Sequence, residues 1–150
     1  MNATLSLSLG DSSALAGLES AVAWAVGEAQ AAMAARYGEI VRSNFGESGL
    51  DRPSAWPPLS PSYAKEVGRT YATLFVSGAL FSAVRVDAQD ARVSASNADA
   101  PYATAHQFGN PAGNLPARPY FPVAADGGPT EYTRGEVLAA AAAALGRALP

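Results

Sequence analysis

The chain carries one histidine, His106, and no cysteine. Histidine is the side chain whose unperturbed pKa lies near neutrality, so any search for acid–base chemistry begins there. Ser62, Ser77 and Ser82 supply hydroxyls and the aspartates supply carboxylates, so a serine–histidine–aspartate triad can be drawn on paper. No G-x-S-x-G elbow accompanies it. A lone histidine without cysteine leaves only dispersed carboxylates for a metal, and neither an H-x-x-x-H pair nor a D-x-D-x-D-G loop occurs. The glycine patterns that cradle a phosphate, G-x-G-x-x-G and G-x-x-x-x-G-K-[ST], are also missing. The residues therefore call for no catalytic site, no metal and no cofactor. The alternative role for His106 is structural: hydrogen bonding to nearby backbone where "HQFG" turns into a loop, with Gly109 taking a positive φ.

That loop is the most distinctive stretch of the chain. In "NLPARPYFP" the prolines at 116, 119 and 122 fix φ, remove donors and push Leu115, Arg118 and Phe121 away from helix. A stiff extended segment loses little conformational entropy on docking. Arg118 brings a planar fork of donors, and Tyr120 and Phe121 bring large apolar area, residue types enriched at interface hot spots. The loop reads as an assembly element, with Arg118 expected to pair with a carboxylate, on this chain or on a neighbour.

Positioning these residues requires a frame. Leu5, Leu7 and Leu9 alternate with Ser6 and Ser8, the pattern of a strand ending at Gly10. A helical pattern then runs from "GDSS" to about Phe45, with Leu15, Leu18, Val22, Val26, Ala29, Met33, Tyr37 and Ile40 on one stripe expected to pack on a sheet. Trp24 falls on the opposite side of that wheel, either covered by the chain itself or reserved for another subunit. Prolines 57, 58 and 61 stiffen the stretch around Trp56, which reads as a plug at the edge of the core or a contact residue. Ser60 and Pro61 have the form of an N-cap and first helical position. A helical turn around Leu80 should lead into a hairpin through Val84, Val86, Val93 and Ala95. The tail "PTEYTRGEVLAAAAAALGRALP" reads as a helix capped by Thr130, with Val137, Leu138, Ala141, Leu145 and Leu149 on a narrow apolar face. The fold class is α+β: a long N-terminal and a C-terminal helix on a small, mostly antiparallel sheet, in one domain spanning 1–150.

At 150 residues and 49% hydrophobic, one core is expected. Net charge is −3, and the ten basic residues are scattered with no two adjacent, which argues against tight nucleic-acid binding. The start lacks a basic n-region, and the longest apolar run, "VLAAAAAAL", is far below the roughly 20 residues that span a bilayer. A soluble intracellular protein with no membrane partner is the expectation.

An ordered series of segments resembles the phage virion morphogenesis family, the tail completion proteins of tailed bacteriophages. It comprises the N-terminal strand and long helix ending near "NF", then "WPPLSPSYAK", "LFVSGALFSAV", "APYATAHQFG", "LPARPYF" and a closing helix. The resemblance implies a non-enzymatic virion protein, assembled in the host cytoplasm and placed at the head–tail junction. There a ring of its own copies, expected to be a hexamer, would meet the tail tube protein and head-closure or connector proteins. DNA would pass through the lumen without sequence-specific binding, and Asp87, Asp90 and Asp99 could line it. Trp24, Trp56, His106, Phe108, Leu115, Arg118, Tyr120 and Phe121 would then serve subunit or partner contacts. The other readings are a transient assembly adaptor or chaperone that leaves before maturation, and a small hydrolase using His106.

Overall fold

The computed structural model describes residues 12–46, 49–68, 74, 77–95 and 98–148. The strand expected through Leu5, Leu7 and Leu9 lies outside them. Helix α1 spans Ser12–Ser43, α2 Pro61–Val67 and α3 Ala79–Ser82. Strands β1 (Val84–Asp87) and β2 (Arg92–Ala95) form an antiparallel hairpin, followed by α4 (Ala103–Phe108) and α5 (Glu131–Ala148). The architecture is α+β, two long helices and a small antiparallel sheet, as the sequence implied.

Local chemistry accounts for most of these boundaries. The Ser60 hydroxyl accepts the Tyr63 amide at 3.3 Å, Pro61 occupies the first turn, and Gly68 ends α2 in the left-handed region at φ 69°. In the hairpin Val84 pairs with Ala95 and Val86 with Val93, which puts these four on one face and Arg85, Asp87, Arg92 and Ser94 on the other. Its turn is fastened by Asp87, whose Oδ1 accepts the amides of Gln89 and Asp90 at 3.0 and 3.2 Å.

The hairpin's apolar face lies on the C-terminal half of α1, and the crossing is close. At Gly38 an added Cβ would fall inside contact distance of Val86 Cγ2, with Val93 Cγ2 at 3.8 Å. The core gathers next to this crossing: Val41 and Phe45 from the end of α1, Leu80 and Ala83 at α3, Val84, Ala100, Ala103 and Tyr120, with Leu74. Phe45 is its aromatic hub, edge-on to Phe81 at 5.6 Å and tilted against Tyr120 at 5.1 Å.

Helix α5 returns along α1. Arg36 Nε donates to Glu136 Oε2 at 2.9 Å, and its Nη2 contacts the same oxygen. The start of α5 is tied to the end of α1 through Asp51, whose Oδ2 accepts the hydroxyls of Thr130 and Thr133. Asp51 also donates its amide to Asn44 Oδ1 at 3.0 Å, while Asn44 Nδ2 donates to the carbonyls of Asp51 and Tyr120 at 2.8 and 3.0 Å. Thr130 Oγ1 accepts the Thr133 amide at 3.3 Å, the expected cap.

The apolar stripe predicted for α1 holds only in part. Ala29 and Ile40 are buried, but Leu18, Val22 and Val26 are exposed, and Ala25 and Ala34, outside the predicted row, are buried. Glu136 sits level with Arg36, so at 1.5 Å per residue Ala144 comes level with about residue 28, where α5 covers the alanine side. Small side chains on both helices meet there, whereas Leu18 and Val22, on the same side of α1, lie beyond the level of about residue 24 where α5 ends at Ala148 and stay exposed. Leu138 of α5 is exposed as well, about 100° around from the buried row of that helix, Thr133, Val137 and Ala144.

Candidate functional site

The predicted contact residues divide between surface and interior. Trp24 is 56% exposed on the free side of α1, and Phe108, at the end of α4, is 75% exposed. Arg118 and Tyr120 are inside the protomer at 4% and 2%. Both are held within their own protomer, and neither stands out from the loop surface as an exposed hot-spot side chain would. Trp56, Phe121, Leu115 and His106 are half-buried, the first two against the core.

The extended segment is held in place by stitches to backbone carbonyls. Arg118 donates Nε to Pro57 O and Nη2 to Pro58 O, both at 3.0 Å, and its amide to His106 O at 2.7 Å. Trp56 Nε1 donates to Pro119 O at 2.8 Å, and the Arg52 guanidinium stacks on the Trp56 ring 4.0 Å from its centroid. Trp56 is thus a plug joining the two proline-rich stretches. The carboxylate expected for Arg118 is not there: prolines carry free carbonyls because their neighbours in extended backbone leave them unpaired, and these carbonyls take its donors. Among the described residues no carboxylate pairs with Arg118.

Gln107 was not singled out in the sequence, yet it fixes the direction of the arm. Its Oε1 accepts the amides of Tyr120 and Phe121, both at 3.0 Å, and its Nε2 donates to Phe121 O at 3.3 Å. One amide side chain so supplies the partners a neighbouring strand would supply. The only advance signal was its place between His106 and Phe108 ahead of a proline-rich stretch that could not pair in a sheet. Gly109 takes φ 80°, as expected, and an added Cβ would meet Ala117 N at 3.0 Å. Asn110 and Leu115 then pair across a tight turn around Pro111–Gly113.

Between this arm and the 57–63 stretch lies a cleft of about 600 Å³. Pro58, Leu59, Leu115 and Pro116 line it, Tyr63 and Tyr102 stand at about 40% exposure, and His106 and Arg118 contribute the nitrogen chemistry. No aspartate or glutamate is among the described lining residues. His106 lies edge-on to Tyr102 at 5.5 Å, and its Nδ1 is buried without a hydrogen-bond partner among the described residues. Burial, and then the nearby Arg118 cation, hold the imidazole below its ordinary pKa. Ser77 lines the same cleft, but no carboxylate orients His106, so the relay of a serine hydrolase is not assembled among the described residues.

No helix among the described residues is long and apolar enough to cross a membrane, and no cluster of three or more His, Asp or Glu among them could hold a metal. No curated protein and no solved structure matches the chain. A family model does match, over residues 13–145, and its description is the phage virion morphogenesis family. The match takes in most of both long helices, the hairpin, the cleft and the stitched arm. The chain belongs to the phage virion morphogenesis family.

Proposed function

We propose that this chain is a structural virion protein of the phage head–tail junction, where its copies form a ring, expected to be six-membered, that completes the tail and helps join it to the head. Its partners on this reading are itself, the tail tube protein and head-closure or connector proteins. Family membership supports a role in building the virion. The observation that carries the assembly reading is apolar surface left to water: Leu18, Val22, Trp24 and Val26 on one end of α1 and Phe108 beside the arm. Subunits in a cyclic ring meet through two different surfaces, one projecting and one receiving. The first half of α1 projects, and the cleft beside the arm receives.

The proposed lumen is less acidic at the hairpin than its aspartates alone implied. Arg85 lies 3.6 Å from Asp99, and Arg92 lies 4.0 Å from Asp90. A mixed, weakly charged wall still gives passing DNA little to adhere to. Mass spectrometry of purified particles, with gold-labelled antibody to locate the chain, tests the assignment. The expected result is this chain in the particle and gold at the neck. A chain abundant in lysate and missing from particles would identify a transient adaptor instead.

A further inference from the structure

Arg118 is a buried cation with no carboxylate of its own chain beside it. Nε and Nη2 are used on the Pro57 and Pro58 carbonyls; Nη1 has no partner among the described residues, and it is not among the sealed, unpartnered atoms. It is the open corner of the guanidinium, in a cleft whose described lining contains no acid. A buried arginine of this kind is electrostatically incomplete, and a carboxylate brought from outside would complete it by a charge-assisted hydrogen bond. The walls of prolines, leucines and tyrosines further ask for an apolar group beside that carboxylate, which a free inorganic anion would not provide.

One surface of the same chain has that composition. Trp24 and Glu28 are one helical turn apart, so they share a face of α1, about 100° around the helix from the Ala25 and Ala29 side covered by α5. Both are exposed, and α1 carries no basic residue before Arg36. Among the described residues Glu28 has no ion-pair partner. We infer that the Trp24–Glu28 face of α1 docks into the Arg118 cleft of a second copy of this chain, the indole filling the apolar part and the Glu28 carboxylate meeting the guanidinium. This rests on the reading that copies assemble with one another, and it names the projecting and receiving surfaces of that contact.

The chain has no cysteine, so the contact can be tested by placing single cysteines. Ala21→Cys chains, with the cysteine one turn before Trp24 on the same exposed face, mixed with Ser77→Cys chains under mild oxidation are expected to give a mixed disulfide dimer. The wild-type chain is expected to self-associate in sedimentation runs, and Glu28→Lys and Trp24→Ala to weaken that association by roughly tenfold or more. Both variants lie on an exposed face and should keep the wild-type circular dichroism spectrum and melting curve, which an Arg118 variant would not. Association that survives both substitutions, with no mixed cross-link, would remove this contact while leaving assembly through another surface standing. A wild type that does not associate, together with cysteine-bearing chains that do not cross-link, would overturn the contact as well, leaving the ring reading to the particle experiment.

Discussion

A pair of glycine substitutions tests the packing of α1 on the hairpin. Alanine is favoured over glycine inside a helix by about 0.8–1 kcal/mol, so Gly27→Ala and Gly38→Ala start with the same backbone gain. At Gly27 a Cβ would meet nothing within 4 Å, and the gain should appear in full. At Gly38 it would run into Val86 Cγ2, with Val86 Cβ at 3.7 Å. Val86 cannot easily turn aside, because a β-branched side chain is stiff at χ1 and its strand is paired to β2 through Val93. Overpacking of this kind costs about 1–3 kcal/mol, so the net loss for Gly38→Ala is about 0–2 kcal/mol. The difference between the variants cancels the backbone gain and isolates the overpacking term of about 1–3 kcal/mol. At roughly 3 °C per kcal/mol for a chain of this length, thermal melts should place them about 3–9 °C apart, Gly27→Ala higher. Equal stabilisation by both would mean that α1 does not cross the hairpin at Gly38.

Three further outcomes follow from the arm and its surroundings. Arg118→Ala removes two charge-assisted bonds from a buried site and leaves the Pro57 and Pro58 carbonyls unpaired, so urea melts should show a loss of about 2–4 kcal/mol. The folded state holds His106 neutral, and the unfolded imidazole takes up a proton as pH falls through about 6.5; the stability from this group is complete above that pH and is lost as pH falls toward the lower folded value, a slope that His106→Gln should flatten. Burial pushes Tyr37 and Tyr120 up to about 12, so the stability they contribute below pH 10 should be lost between pH 10 and 12, with two tyrosines ionising late in an ultraviolet titration.

Elements governed by local chemistry were legible in the sequence. The Ser60–Pro61 start of α2, the Thr130 cap, the Gly109 turn and the hairpin through Val84, Val86, Val93 and Ala95 each follow from residues within a few positions of one another. What was not legible depended on contacts distant in sequence. The buried side of the first half of α1 is set by the alanines of α5, about a hundred residues away, and a hydrophobic stripe favours valine and leucine over alanine. Arg118 looked like an exposed hot-spot arginine because its type predicts a carboxylate. Its acceptors are instead the carbonyls of two prolines sixty positions earlier, which no pattern of side chains announces. Tyr120 was expected to point out for a similar reason; its hydroxyl donates to Ala103 O and its ring completes the core.

The most direct test of the account is electron microscopy of a lysate from phage in which this gene is disabled. A ring protein of the junction predicts full heads beside detached tails, or tails of uncontrolled length. Normally joined, infectious particles in that lysate would contradict the proposed role.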